Sequence, residues 1–481
     1  MNIALVIPDI GQRVKRGAGR LFRPTTVRHQ RIGPLLIAAA LEQHGHLVQV
    51  IDAEAQELDD QHLVRELAKF GPDLLGIHAN LMVFRHALRS ARAMKQAFPT
   101  VPVVVGGPAV TSLPEAVMSH PAFDFGVVGE GERTIVELVD VLAAGDVPTN
   151  VKGIAYRDSE TVVTTPPREP EQNLDLLPTP ARHHVKFNLY RDVILGKRRF
   201  ANVLCNRGCP YHCIFCDPKN KLGQTPRFRS IESIVDELTN LKLRLGVEYI
   251  YFNDDTFTLN RKQVLGLCER LLKDSLAIGW TCRTRINLVD DELLSMMSKA
   301  GCKRIDFGVE SGDDAVLKAL RKEITVKQTI EAFKACHCAG IDTLAFFMVG
   351  GPAETEETVK RTLGLAARIN PTFVVPAQCH IFPPGTELAR ISIQRGLVSS
   401  DHWERYIRGE VGEVAPPFIT PQMSRRLARL YLARLHLINI LWPVRNPVAM
   451  LRGGFVSNLR TRLRIDTQIL LMAVARRRVF V

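Results

Sequence analysis

The chain has 481 residues, which is enough for two or three domains that each bury a hydrophobic core. Its composition is typical of a globular protein, and no stretch reaches the roughly 18 uninterrupted apolar residues of a membrane span. The net charge of +13 lies mostly in residues 416–481, which hold twelve arginines, no lysine and one acid. Because residues 1–9 also lack the charged start of a signal peptide, we expect a cytoplasmic protein with reduced cysteines.

Residues 1–145 alternate short apolar runs with helical stretches. The strand candidates are 3–8, 47–51, 73–78, 102–106 and 123–128, and the helix candidates are 34–43, 61–70, 85–97 and 133–143. Strict alternation predicts an α/β domain with a parallel, doubly wound, Rossmann-like sheet, which binds ligands at the carboxyl ends of its strands. We place this domain at 1–147, and we expect a hairpin at 153–165 and a proline-rich linker within 148–197.

The same alternation resumes at residue 198. The strand candidates are 200–204, 249–252, 279–282, 304–309, 343–349 and 373–377, and the helix candidates include 231–245, 263–273 and 354–369. Six such units predict a partial (βα)6 TIM barrel over 198–395, with its chemistry at the carboxyl ends of the strands. We expect a basic, mainly helical extension over 396–481.

Three cysteines follow the first barrel strand, in the run RGCPYHCIFC at 207–216. Cys209, Cys213 and Cys216 form a C-x3-C-x2-C triplet, and soft thiolates select iron–sulfur clusters or zinc. Three ligands leave one iron of a four-iron cluster without a protein ligand, whereas a structural zinc ion takes four. Zinc binding and simple burial of the cysteines are the alternatives, and Cys205 is an alternative ligand with a poorer spacing.

The triplet, with the aromatic Phe215 before its last cysteine, resembles the radical S-adenosylmethionine (SAM) superfamily. The resemblance implies a [4Fe-4S] cluster whose open iron chelates the amino and carboxylate groups of SAM. An electron from the cluster then breaks the C5′–S bond, and the 5′-deoxyadenosyl radical abstracts hydrogen from an unactivated C–H bond. The expected partners are a small-molecule substrate and a reducing protein such as flavodoxin or ferredoxin.

Two features near the second and third barrel strands also match the superfamily. In FNDDTF, at 252–257, Asp254 or Asp255 would receive the ammonium group of SAM, because a carboxylate suits a cation. Either residue could instead cap the following helix. Arg283 and Arg285, at the end of the third strand, are expected to bind a carboxylate of SAM or substrate, or else to be solvated surface side chains.

The fourth and fifth barrel strands end in further matching segments. In FGVESG, at 307–312, the resemblance implies that Glu310 and Ser311 contact the ribose and methionine parts of SAM. In VGGPAET, at 349–355, Gly350 and Gly351 would let the backbone approach adenine. The alternative for these two glycines is a tight turn between strand and helix.

The front domain resembles the cobalamin (B12)-binding domain that precedes the barrel in one branch of this superfamily. The matching segments include VGGPAVT at 105–111 and VGEGE at 128–132. The resemblance implies that Gly106, Gly107, Thr111, Gly129 and Glu130 line the groove for the cobalamin nucleotide tail. The alternative is an inherited domain that packs on the barrel and helps to bind substrate.

The chain departs from the cobalamin-binding pattern at two places: the signature that supplies an axial histidine, and the segment before the Gly-Gly turn. The D-x-H-x-x-G signature that supplies an axial histidine is missing, because PDIG stands at 8–11 and the next histidine is His29. Ala79-Asn-Leu81 stands where Ser-x-Leu would precede the Gly-Gly turn. We expect His78 and His44, in apolar surroundings, to be packing or surface residues rather than metal ligands.

Residues 420–481 are rich in arginine and leucine and predict helix, with Pro443 and Pro447 breaking the segment. Clustered cations beside leucine and tryptophan suit an anionic lipid surface, so peripheral membrane contact is one expectation. A helical cap over the barrel is the other. Nucleic acid is not expected as a specific partner, because no recognition fold accompanies the charge.

Together these patterns favour a cobalamin-dependent radical SAM enzyme, with methyl transfer to an unactivated carbon as the first expectation. The alternative keeps the cluster chemistry without methyl transfer, as in an oxidative cyclase or a rearrangement enzyme. A lipid or tetrapyrrole substrate becomes attractive if the basic tail meets a membrane. A non-catalytic metal-binding scaffold belongs to a different class of function and remains open.

Overall fold

Two sheets, each covered by helices, form the framework of the chain. The computed structural model describes residues 1–10, 28–159, 161–190, 199–217, 223–381, 384–412, 414–418 and 422–446, without the side chains of 443 and 444. Within these residues the fold is the predicted one: a doubly wound front sheet, a partial barrel and helices at the carboxyl-terminal end.

The front sheet has seven strands in the order β2-β1-β3-β4-β5-β6-β7. The strands are β1 (Asn2–Ile7), β2 (Leu47–Asp52), β3 (Leu74–His78), β4 (Val103–Gly106), β5 (Phe125–Val127), β6 (Ile154–Asp158) and β7 (Thr161–Thr164). The first five are parallel, and their apolar side chains are buried because helices cover both faces. The predicted hairpin is β6–β7, which pairs antiparallel with β5 and so extends this sheet.

In the part of the chain that the structure describes, six α-helices flank the front sheet. They are α1 (Ile32–Gln43), α2 (Asp60–Phe70), α3 (Phe84–Ala97), α4 (Pro108–Ser112), α5 (Pro114–Met118) and α6 (Glu132–Ala143). The helices α2 and α3 bury one apolar face each and expose their charged residues, as amphipathic surface helices do. The four longer helices lie within about two residues of the predicted positions.

The barrel sheet has six parallel strands in the order β15-β14-β13-β12-β11-β8. They are β8 (Phe200–Val203), β11 (Tyr249–Phe252), β12 (Gly279–Thr284), β13 (Cys302–Glu310), β14 (Asp342–Val349) and β15 (Phe373–Gln378). In the described chain β8 and β15 do not pair, so the barrel is incomplete, as predicted. A short antiparallel pair that the sequence did not predict, β9 (Asn206–Arg207) with β10 (Arg227–Phe228), encloses the cysteine run.

The remaining helices cover the outside of the barrel and continue beyond it. They are α7 (Ile231–Leu243), α8 (Arg261–Lys273), α9 (Asp291–Lys299), α10 (Asp314–Ala319), α11 (Val326–Cys338), α12 (Glu356–Ile369), α13 (Glu387–Gln394), α14 (His402–Arg408) and α15 (Arg425–Arg445). One continuous hydrophobic cluster joins the barrel strands to most of these helices and includes Trp280, Phe307 and Phe333. The helices α13 and α14 instead bury Leu388 and Trp403 in a hydrophobic cluster of the front sheet.

Buried ion pairs fasten the front sheet to the barrel. Arg207, in β9, contacts Glu130 at 3.3 Å and Glu132 at 2.5 Å, and Arg227, in β10, contacts Glu130 at 2.6 Å. Burial alone would raise the pKa of Glu130, but hydrogen bonds and charge from the two arginines hold it below its usual value. Removing one partner of such a pair leaves an uncompensated buried charge and costs about 3–5 kcal/mol. The two domains are therefore held in one orientation at this point.

The basic helix α15 packs along the barrel as a cap, which was one of the two expectations for this segment. The Asn439 side chain accepts a hydrogen bond from the backbone N–H of Val374 at 2.7 Å and donates to its C=O at 2.8 Å. The helix α15 ends at Arg445, between Pro443 and Pro447, the two prolines that were predicted to break this segment. Residues 447–481 lie outside the described residues. Among the described helices, none is long and apolar enough to cross a bilayer.

Candidate active site

The cysteine triplet lies on the loop that follows β8, at the carboxyl-terminal edge of the barrel sheet. Cys213 is buried, Cys209 and Cys216 are half-buried, and all three are free thiols. Burial is the largest cause that raises the pKa of Cys209, and it raises the pKa of Cys216 to about 12. Because thiolates at these positions need a positive partner, the donor set fits a thiolate-bound metal centre. Cys205 is fully buried behind the loop, beside Asp254.

The turn before the triplet requires glycine. Gly208 has a φ of +93°, and a Cβ atom there would lie 2.7 Å from the carbonyl oxygen of Thr225. A side chain at 208 would therefore push apart the two arms that enclose the loop. The Sγ atom of Cys209 also lies 3.9 Å from the hydroxyl of Thr256, at the end of the next strand.

Asp254 and Asp255 have different surroundings, although the sequence could not separate them. One oxygen of Asp254 accepts hydrogen bonds from the backbone N–H groups of Cys205, at 2.7 Å, and Asn206, at 2.6 Å. Burial raises the pKa of Asp254 to about 7. Asp255 makes no hydrogen bond among the described residues and lines a cavity, so its carboxylate is available to a ligand. This difference indicates a structural role for Asp254 and favours Asp255 as the proposed contact of the SAM ammonium.

The segment after β13 holds a buried ion pair. Glu310, with a φ of +64°, accepts from Lys322 Nζ at 2.7 Å, and a Cβ atom at Gly308 would lie 2.6 Å from both groups. Ser311 is fully buried, and its hydroxyl lies 3.3 Å from that of Thr362. Glu310 and Ser311 are thus already engaged with protein groups, and their predicted contacts with SAM remain a proposal.

The Gly-Gly turn after β14 is organised by a carboxylate that the sequence did not single out. Glu354 accepts from the backbone N–H of Gly350 and, at 3.2 Å, from that of Gly351. Burial raises the pKa of Glu354 to about 7, and its second carboxylate oxygen is buried without a hydrogen-bond partner among the described residues. This arrangement supports the tight-turn alternative for the two glycines and leaves contact with adenine as a proposal.

A cavity of about 310 Å³ lies between the front sheet and the barrel. Its walls come from both domains and include α1, α6, the ends of β3 and β4, and the loops after β8 and β11; the lining residues include Gly33, Gly76, His78, Gly106, Gly129, Glu132, Arg207, Asn253 and Asp255. The wall is mostly apolar, and both domains contribute polar groups to it, with His78 and Glu132 on the front side and Asn253 and Asp255 on the barrel side. Such a cleft at strand ends between two domains is where a cofactor binds.

The three glycines that were predicted to line a cobalamin groove, Gly106, Gly107 and Gly129, line this cavity. Nothing lies within 4 Å of a Cβ atom built on Gly106 or Gly129, so both positions are open toward a ligand. Gly107 has a φ of +108°, and a Cβ atom there would lie 2.9 Å from His78 Nδ1. The residues present therefore fit a large flat ligand that approaches the backbone at Gly106 and Gly129.

The structure also shows the surroundings of three other front-domain residues that the sequence analysis discussed. His78, which was expected to be a packing or surface residue, is buried against Gly107 and lines the cavity, and burial lowers its pKa to about 4. The hydroxyl of Thr111 accepts from the backbone N–H of Gly129 at 3.1 Å and is not part of the cavity wall. Glu130 lines the cavity, but its carboxylate binds the two arginines of the barrel.

Models of known families match both halves of the chain. The radical SAM superfamily model matches residues 203–366, and the B12-binding domain model matches residues 24–139. An uncharacterized methyltransferase from Pyrococcus horikoshii is 32% identical over 436 residues, which cover 90% of this chain and 92% of that protein. The chain belongs to the radical SAM superfamily, in the branch with a B12-binding domain.

Two further relatives extend the comparison. The anaerobic magnesium-protoporphyrin IX monomethyl ester cyclase of Rubrivivax gelatinosus is 31% identical over 328 residues, covering 67% of this chain and 59% of that protein. The fold is similar to that of the radical SAM methyltransferase TsrM from Kitasatospora setae, solved with cobalamin and a [4Fe-4S] cluster, with a TM-score of 0.70 and 19% identity. The match covers 91% of this chain and 88% of that structure.

The radical SAM site also contains residues to which sequence reasoning gave no role. Lys322 lies 5.8 Å from the ring of Phe215, and Tyr211 stacks on Arg285 with 3.6 Å between the guanidinium carbon and the ring centroid. The expectation that Arg283 and Arg285 could be solvated surface residues is wrong, because neither is exposed and Arg285 is buried. The position of Tyr211 within the C-x3-C spacing was the one signal that could have drawn attention to it.

We expect Asp254→Ala to lower the free energy of unfolding by about 2 kcal/mol or more, because it leaves two buried N–H groups unpaired. Asp254→Asn keeps an acceptor oxygen and should recover most of that loss.

We expect Asp255→Ala to leave stability near that of the wild type but to weaken SAM binding at least about tenfold, because a charge-assisted hydrogen bond is lost. Urea unfolding and equilibrium dialysis with SAM measure the two effects. Reversed effects at the two positions would contradict the assignment.

Proposed function

We propose that this radical SAM enzyme is a cobalamin-dependent methyltransferase that acts on an unactivated carbon of a small molecule. The observation that carries the proposal is the shared cavity, whose walls include Gly106 and Gly129 of the B12-binding domain and Asp255 of the barrel. A corrinoid held on the front wall would face a SAM molecule held at the barrel edge. The relationship to a methyltransferase over 90% of the chain supports the same reading.

When bound, the cluster, SAM and cobalamin would supply a low-potential electron, a radical precursor and a methyl carrier. The protein's own part is to bind, orient and exclude water. Cys209, Cys213 and Cys216 would hold the cluster, Asp255 would receive the ammonium of SAM, and the apolar side of the cavity would keep solvent from a reactive carbon.

The proposal requires a one-electron donor, and a flavodoxin or ferredoxin has the chemistry to serve. The oxidative cyclase remains the second candidate, because the Rubrivivax cyclase is similar over two thirds of this chain. The loops around the cavity, rather than the cysteine triplet and the glycine-rich segments, would determine which substrate binds.

The products of anaerobic turnover test the proposal. With reconstituted protein, cobalamin, SAM and a chemical reductant, a methyltransferase should form S-adenosylhomocysteine together with 5′-deoxyadenosine, measured by liquid chromatography and mass spectrometry. 5′-Deoxyadenosine without S-adenosylhomocysteine would contradict methyl transfer and favour the cyclase or a rearrangement. Absence of both products from cluster-loaded protein would favour a scaffold.

We expect Gly106→Val to abolish corrinoid binding while leaving the cluster in place. The new side chain would enter the open space beside β4, whereas the cysteine loop lies on the other wall. Gly412→Val is the matched control, because Gly412 likewise has ordinary φ and open space but lies outside the cavity. Absorption of bound corrinoid measures the expected loss, and the iron content per chain shows whether the cluster is retained. Equal corrinoid content in the two variants would contradict the placement of cobalamin.

We also propose that the outer face of α15 contacts an anionic lipid surface. Leu430, Leu437 and Leu441 lie on one exposed side of this helix, and Arg429 and Arg434 flank them. Leu437→Asp should reduce flotation of the full chain with phosphatidylserine-containing liposomes, whereas Leu243→Asp, at an exposed leucine of α7, should not. Equal flotation of both variants and the wild type would contradict the proposed contact of α15 with lipid.

A further inference from the structure

Arg285 is a buried cation beside the cysteine triplet. Arg285 directly follows β12, and only 5% of the residue is exposed to solvent. The guanidinium Nη1 donates to Cys213 Sγ at 3.3 Å, Nη2 donates to the carbonyl oxygen of Lys322, and the plane stacks on the ring of Tyr211. A longer contact, 3.4 Å, joins Nε to the side-chain oxygen of Asn287.

Arg285 differs from the other buried arginines of the described chain in its choice of partners. Each of the others forms an ion pair with a carboxylate; they are Arg182 with Glu237, Arg207 with Glu130 and Glu132, Arg227 with Glu130, and Arg304 with Asp306. Among the described residues, no carboxylate pairs with Arg285. Buried charges are compensated in folded proteins, so Arg285 requires an anion from another source.

The side chain within hydrogen-bond reach of Arg285 that would carry negative charge as a cluster ligand is Cys213, whose Sγ lies 3.3 Å from Nη1. The neighbouring cations Lys322, Arg207 and Arg227 are already neutralised by carboxylates, Lys322 by Glu310 at 2.7 Å. The charge of Arg285 is therefore directed at the cysteine side of the site. The stack on Tyr211, which belongs to the same loop, fixes the guanidinium plane in that direction.

We propose that Arg285 is a positioning residue that raises the reduction potential of a cluster held by Cys209, Cys213 and Cys216, through its hydrogen bond to Cys213. The proposal rests on the cluster in the proposed function. Reduction adds one negative charge to the cluster, and a nearby fixed cation and an N–H···S bond both favour that more negative state. Burial strengthens the effect, since little water screens the charge.

The test is a reductive titration of the reconstituted full chain with dithionite, followed by electron paramagnetic resonance without SAM. At the ambient potential that half-reduces the wild-type cluster, Arg285→Gln should lower the ratio of reduced to oxidised cluster about tenfold, equivalent to about 59 mV for one electron. Arg285→Lys keeps the charge but loses the planar guanidinium group. Its ratio of reduced to oxidised cluster should therefore lie between those of the wild type and Arg285→Gln. Arg270→Gln, at an exposed pair with Asp274, is the control for net charge and should match the wild type.

Each outcome decides the matter. Equal ratios for the wild type and Arg285→Gln would overturn the proposal, as would a difference that appears only when SAM is present, because Arg285 would then act on SAM. If Arg285→Gln fails to retain a cluster, the Arg285→Lys titration decides, and a ratio equal to the wild type overturns the proposal. Wild-type protein that binds no four-iron cluster would instead contradict the proposed function itself.

Discussion

The pairing of Arg207 with Glu130 and Glu132 is the contact on which the arrangement of the site depends. Arg207 stands two residues before Cys209, and its two carboxylate partners follow β5 of the front sheet. One buried contact therefore sets both the start of the cysteine loop and the wall of the cavity. Because a buried charge without its partner is strongly destabilising, the two cofactor-binding halves are constrained to face each other.

The fold was largely readable from the sequence, because each parallel strand is an apolar run followed by a helix of suitable length. The cysteine triplet could be predicted for a different reason. Its three cysteines lie on one short loop, so their spacing is visible without tertiary information. The hairpin β6–β7 was recognised, but its pairing with β5 was not, since local patterns do not say which edge a hairpin joins.

Tertiary context decided what the motifs could not. Asp254 and Asp255 are adjacent and chemically identical, and only the fold shows that one holds backbone amides while the other faces a cavity. Likewise Glu130 matches the cobalamin pattern, yet its carboxylate holds the domains together. In each case the motif contains both ligand-facing residues and residues that support them, and burial with a partner separates the two.

The central claim is that the cavity between the two domains holds a corrinoid on its front wall, next to a cluster on the cysteine loop at the barrel edge. The most direct measurement is the metal content of the full chain after anaerobic reconstitution with iron, sulfide and hydroxocobalamin, by mass spectrometry together with the visible spectrum. The account predicts a four-iron cluster and one tightly held cobalt in the same chain. Zinc in place of iron at the cysteines, or a cluster-loaded protein that never retains cobalt, would contradict it.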